Sequence, residues 1–150
     1  MKFRIDRDVL ADAVSWTARS LPNRPSVPVL AGLLLSTENN ELTLSGFDYE
    51  TSTRATLAAD VTEDGQALVS GRLLAEIVKA LPAAPVDVSL DGAKVTVSCG
   101  SARFNLQTMP VDEYPRLPDM PTATGTIDAT EFATAVAQAG SAAGRDDMLP

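Results

Sequence analysis

"ALVSGRLLAEIVKALP", residues 67–82, changes period part-way along. Residues 67–71 suit a short strand. From Arg72 the apolar positions fall at Leu73, Leu74, Ile77, Val78 and Leu81, the spacing of one helix face. Pro82 stops the helix, since a proline has no amide to continue it. Three runs of strand character follow: "VDVSLDG" (86–92), "AKVTVSC" (93–99) and "ARFNLQT" (102–108). The first two meet at Asp91–Gly92, a hairpin signal. The stretch therefore reads strand–helix–strand–strand–strand.

The same order precedes it. "FRI" (3–5) alternates as a strand, and Val9, Leu10, Ala13, Val14, Trp16 and Thr17 keep a helical period up to Leu21. Asp6 or Asp8 suits the N-cap, and Pro22 with Asn23 the stop. Strands are expected at 27–37, 41–48 and 51–61, with Asn39–Asn40 as a turn. Residues 1–108 thus form one α+β domain of two strand–helix–three-strand repeats, recurring after about 60 residues.

Residues 109–125 are proline-rich and aperiodic, the pattern of a stiff linker. Then the pattern starts again. Shifting 4–28 by 122 places Ile5, Asp6, Ala11, Ala13, Val14 and Pro28 on Ile127, Asp128, Ala133, Ala135, Val136 and Pro150. Residues 126–150 read as the truncated start of a second, similar domain, and the chain as a fragment.

Composition narrows the chemistry. The 150 residues carry a net charge of −8 and no histidine, which excludes Ser–His and Cys–His nucleophiles and every His-containing metal site. The acidic balance argues against a protein that coats nucleic acid generally, but it does not forbid one local basic track. Cys99, the one cysteine, lies in a strand and reads as a buried structural thiol in a cytosolic protein. "MKFRIDRD" has no apolar signal region, and no apolar run reaches membrane-spanning length. The carboxylate pairs Asp48/Glu50, Asp112/Glu113 and Asp146/Asp147 fit turn and surface roles. Metal-assisted hydrolysis needs such groups to converge with others, and no metal motif or glycine-rich phosphate loop accompanies them. No catalytic, cofactor or metal site is assigned.

Arg24, in "RSLPNRPSVPVL" (19–30), is framed by Pro22 and Pro25 at a helix-to-strand corner, with no carboxylate near it in sequence. Arg72 begins a helix, where a cation opposes the macrodipole. In "SARFNLQT", Phe104 and Leu106 share one strand face, which suits either the core or a joint.

"MKFRIDRDVLADAV", "RPSVPVLAGLLL" with "LTLSGFDYE", "LVSGRLLAEIVKALP", "ARFNLQTMPVDEYPRLP" and "AGRDDMLP" together resemble the bacterial DNA polymerase III beta subunit family, the sliding clamps, in order and spacing over all of 1–150. The details look closest to clamps of high-GC actinobacteria. The resemblance implies the DNA clamp fold and a head-to-tail homodimeric ring of three similar domains per subunit. Its helices line a hole around duplex DNA, and it performs no chemistry. It implies DNA-backbone contact at Arg24, Arg72 and Arg145, with Arg7, Arg19 and Lys79 adding to the lining. It places Phe104 and Leu106 at the subunit joint, with Arg103 and Lys79 in reach of the neighbour's carboxylates. Leu73 and Ile77 are further contributors, although core packing is their first reading. The replicative polymerase and the clamp loader would bind a pocket outside these 150 residues, without which the chain cannot close a ring. Two other readings stand beside this one: a truncated, non-ring module that caps a clamp subunit, and a hydrolase built on Asp48 and Glu50.

Overall fold

The element order repeats the sequence pattern, with one addition. In the computed structural model, which describes residues 1–22, 25–119 and 121–143, the chain runs β1 (Lys2–Ile5), α1 (Arg7–Ala18), a 3-10 turn (Pro28–Ala31), β2 (Gly32–Glu38), β3 (Glu41–Phe47), β4 (Ser52–Ala58), β5 (Asp60–Glu63), β6 (Gly65–Ser70), α2 (Gly71–Ala80), β7 (Val86–Asp91), β8 (Lys94–Cys99), β9 (Ala102–Met109) and α3 (Ala129–Gly140). The strand expected over 27–37 starts only at Gly32, because Pro28 opens the 3-10 turn. The strand expected over 51–61 breaks at Ala59. There the N–H of Ala59 donates to the carbonyl of Asn40 at 3.0 Å, and that of Val61 to Asn40 Oδ1 at 3.4 Å. Asn39 and Asn40 both have positive φ, 53° and 62°, the mirror-image hairpin turn that matches strand twist.

The bend sends the chain across the molecule. β4 pairs with β3, whereas β5 pairs with β1, Phe3 opposite Val61. The nine strands form one sheet, ordered β4-β3-β2-β6-β9-β8-β7-β1-β5, so that two consecutive strands are its opposite ends. In the β1–β7 register Arg4 faces Asp87, and the guanidinium donates to both carboxylate oxygens at 2.8 and 2.9 Å. That contact holds the Asp87 carboxyl below its usual range and pushes the Arg4 guanidinium up.

The repeat is visible in the caps and in the core. Asp6 accepts from the N–H groups of Asp8 and Val9 at 2.8 and 3.2 Å, satisfying amides that the first helical turn leaves without partners. A shift of 64 takes Asp6 to Ser70, whose hydroxyl accepts from the N–H of Leu73 at 3.4 Å and starts α2. The same shift takes Leu10, Ala13 and Val14 to Leu74, Ile77 and Val78, all buried. These helix faces meet Leu33, Leu35, Leu42 and Leu44 of β2 and β3, and Val86, Val88, Val95 and Val97 of β7 and β8, in one core. Every second strand residue points inward, as the pleat requires. Cys99 lies in that core, 1% exposed, its thiol donating to the carbonyls of Pro82 and Ala84.

The first unit ends at Pro118, ten residues beyond the expected boundary at 108. β9 runs to Met109, and the proline-rich segment after it folds back on the sheet. Tyr114 is buried there with Val29 and Leu68, its hydroxyl donating to the carbonyl of Gly32 at 3.5 Å, and burial pushes its pKa up to about 12. The prolines stop regular structure, but Val111, Tyr114 and Leu117 still anchor the segment.

The second unit, Asp119–Pro150, contains α3. The shift of 122 carries the bounds of α1 onto those of α3, and Asp128 caps it through the N–H groups of Thr130 and Glu131, both at 2.9 Å. Ile127, Phe132 and Val136 correspond to the buried Ile5, Leu10 and Val14 but are exposed. Among the described residues no helix is long and apolar enough to cross a membrane.

Candidate nucleic-acid interface

α1 and α2 pack against each other, and each turns a mixed face to solvent. A stripe at Val9, Asp12 and Trp16 leads along α1 to Arg19, and α2 exposes Arg72, Leu73, Glu76 and Lys79. Trp16, which the sequence groups with the apolar helical positions, is 52% exposed, because Leu10, Ala13, Val14 and Thr17 already fill the buried stripe.

Between the two helices lies a cleft of about 400 Å³. Arg19, Arg72 and Lys79 all line it, together with Ser15, Ser70 and Pro22. Three of the expected cations therefore come together around one concavity. Local sequence explains each position. Arg19 is the residue that closes α1, Arg72 sits one residue inside α2 behind the Ser70 cap, and Lys79 is in the last turn of α2, where a cation suits the helix dipole.

Arg7 lies apart from these three and is held by contacts of its own. Its Nη2 donates to the carbonyl of Lys79 at 3.3 Å and its Nη1 to Asp8 Oδ1 at 2.6 Å, while Nε is buried without a hydrogen-bond partner among the described residues. The side chain is 28% exposed. It ties the two helices together, with most of the side chain covered. Arg24 and Arg145 lie outside the described residues.

The residues expected at a joint divide in two. Leu106 is 1% exposed and belongs to the core of its own domain, as does Ile77. Phe104 packs against that core and is only partly exposed. The face shared by Phe104 and Leu106 is thus the inward one, because β8 pairs Val97 with Phe104 and Val95 with Leu106 in a row of buried valines. Leu73, by contrast, is 44% exposed on α2, and Arg103 is exposed on the outer face of β9. The strand also keeps an open flank. β6 reaches β9 only at Thr108 and Met109, whereas β8 pairs with 102–107 on the other side. The N–H of Thr108 donates to Ala93, so the antiparallel alternation turns the backbone groups of Arg103 and Asn105 toward the open side.

Among the described residues the carboxylate pairs do not converge. Asp48 Oδ1 accepts from the N–H groups of Glu50 and Thr51 at 3.0 and 2.6 Å, closing the turn that leads into β4. Asp112 and Glu113 are exposed, and Asp146 and Asp147 lie outside the described residues. Among the described residues no three Cys, Asp or Glu side chains gather to hold a metal ion.

Residues 1–118 match the family described as DNA polymerase III beta subunit, N-terminal domain. The whole chain is 61% identical to the beta sliding clamp of Streptomyces coelicolor, covering 40% of that protein, and 57% identical to that of Micrococcus luteus, covering 48%. Its fold superposes on the pol III beta structure from Caulobacter crescentus with a TM-score of 0.88 at 26% identity, over 99% of this chain and 40% of that one. The chain therefore spans less than half the length of the curated relatives it matches.

Proposed function

The chain belongs to the DNA polymerase III beta subunit family, and from that premise we propose that it is part of a non-catalytic processivity factor, a cytoplasmic ring-shaped clamp that encircles duplex DNA and tethers the replicative polymerase. The observation that carries this reading is the convergence of Arg19, Arg72 and Lys79 on the cleft between α1 and α2.

Cations on a helical face meet phosphates, which repeat along the duplex whatever the bases are. Such contacts hold without reading sequence, and each can be exchanged for an equivalent one further along. With a net charge of −8 the remainder of the chain repels DNA, which leaves the basic cleft as the favoured approach. Arg24 and Arg145 are proposed to contact the DNA backbone as well. The open flank of β9, with Arg103 exposed on that strand and Leu73 exposed on α2, supports a strand-to-strand joint to a second subunit. The polymerase and the clamp loader would bind regions outside these 150 residues.

The test uses the full-length protein. A clamp loader places it on nicked circular plasmid, the salt is raised, and the DNA is then linearised. Retention on circles with loss from linear DNA is the expected outcome. Equal loss from both would replace the ring with charge-driven binding or with the capping module.

A further inference from the structure

Beyond the helices, the opposite face of the sheet carries a second concavity with different chemistry. Strand register lines up Gln66, Ser36, Thr43 and Thr56 in one outward row across β6, β2, β3 and β4. Their side chains link laterally, Gln66 Nε2 to Ser36 Oγ at 3.3 Å and Thr43 to Thr56 at 3.4 Å. The next row holds Leu34, Ser45 and Arg54. The segment after β9 folds over one side as a wall of Val111 and Leu117, and Arg116 projects from it. Together they enclose about 680 Å³, within the range of ligand-binding clefts.

The charge pattern of this cleft is unlike that of the chain. Asp and Glu outnumber Lys and Arg by 20 to 12 overall, yet the cleft is lined by two arginines and no carboxylate. Both arginines are exposed, and among the described residues neither forms an ion pair. A guanidinium held without an anion is a fork suited to a carboxylate. Hydroxyls and an amide on a pleated floor can meet an extended backbone. Leu34, Val111 and Leu117 give one side an apolar surface. Tyr114, the aromatic at the cleft, is 8% exposed and bonded to Gly32, so it offers no face on which a base could stack.

We infer that this outer cleft docks an extended acidic peptide segment of a partner protein, its carboxylates on Arg54 and Arg116 and one bulky apolar side chain against Leu34, Val111 and Leu117. The site lies on outward-facing strand residues and is independent of the cations between the helices.

The probe is a fluorescein-labelled hexapeptide, two leucines flanked by pairs of glutamates, followed by fluorescence polarisation on the intact chain at low ionic strength. Saturable binding is expected. Arg54→Gln and Arg116→Gln each weaken it roughly tenfold, and a glutamine-for-glutamate peptide does not bind. Arg54→Glu with Arg116→Glu reverses the preference toward a lysine-flanked peptide, with unchanged circular dichroism. Absence of saturable binding, or binding indifferent to both arginines, overturns the proposal. So does an oligothymidylate that binds more tightly than the peptide and is lost with the same two substitutions, which would make the cleft a nucleic-acid site.

Discussion

Arg7, the first residue of α1, donates through Nη2 to the main-chain carbonyl of Lys79 near the end of α2, at 3.3 Å. A cation that caps the last turn of a neighbouring helix satisfies an oxygen the helix itself cannot and fixes where the two helices meet. Arg7→Met keeps the aliphatic stem and removes that bond. It should lower unfolding stability by about 1 kcal/mol in urea titrations. The salt dependence of DNA association by the full-length protein should stay as it was.

Arg19, Arg72 and Lys79 should behave in the opposite way. In the full-length protein each alanine substitution should weaken DNA association evenly across sequences and reduce the salt slope by about one phosphate contact. The same measurement on Arg24→Ala tests whether the proline-framed corner extends the track. A base-dependent loss would mean that the contacts read sequence.

Leu106 and Leu73 separate folding from assembly. Leu106→Ala empties part of a closed core and should cost about 2–5 kcal/mol in the isolated chain. Leu73→Glu with Arg103→Glu changes only exposed groups. It should leave the melting temperature of the chain within a few degrees while light scattering reports a monomer for the full-length protein.

Tyr114 should set an alkaline limit. Its folded pKa is raised to about 12 from an ordinary value of 10.0, so the neutral phenol is favoured by folding. The stability it contributes is complete below pH 10 and is lost as pH rises toward 12. Tyr114→Phe, which keeps the ring, should flatten stability against pH in that interval, as measured by urea midpoints.

Asp87 acts at the other end of the scale. Its folded pKa is depressed by Arg4, so its contribution is present above the ordinary value of 3.8 and is lost as pH falls through the lower folded value. Asp87→Asn should remove that part of the acid dependence, and added salt should shrink the difference, because the pair is exposed.

The alternation of period along the chain made the repeats legible. Asp6 precedes the first helix, and Asn39–Asn40 and Asp91–Gly92 sit in turns, since caps and turns are decided by local chemistry. What local chemistry does not encode was missed. The bend at Ala59 depends on Asn40, some twenty residues earlier, and the burial of Tyr114 on a sheet built before it. The face of β9 was ambiguous because a period of two says which residues go together and not which way they point. The sequence groups Arg7 and Lys79 among the cations of a lining, and only the packing of two helices makes Arg7 a cap for the turn that holds Lys79.

The position of β1 has a consequence for synthesis. Its neighbours in the sheet are β5 and β7, drawn from residues 60–63 and 86–91. A chain emerging from the ribosome N-terminus first therefore presents Phe3 and Ile5 long before either strand that will flank them exists. β1 is made before both of its neighbours and enclosed only after them, and until Asp91 has emerged the nascent segment carries an apolar edge that chaperones or early helix docking must shield.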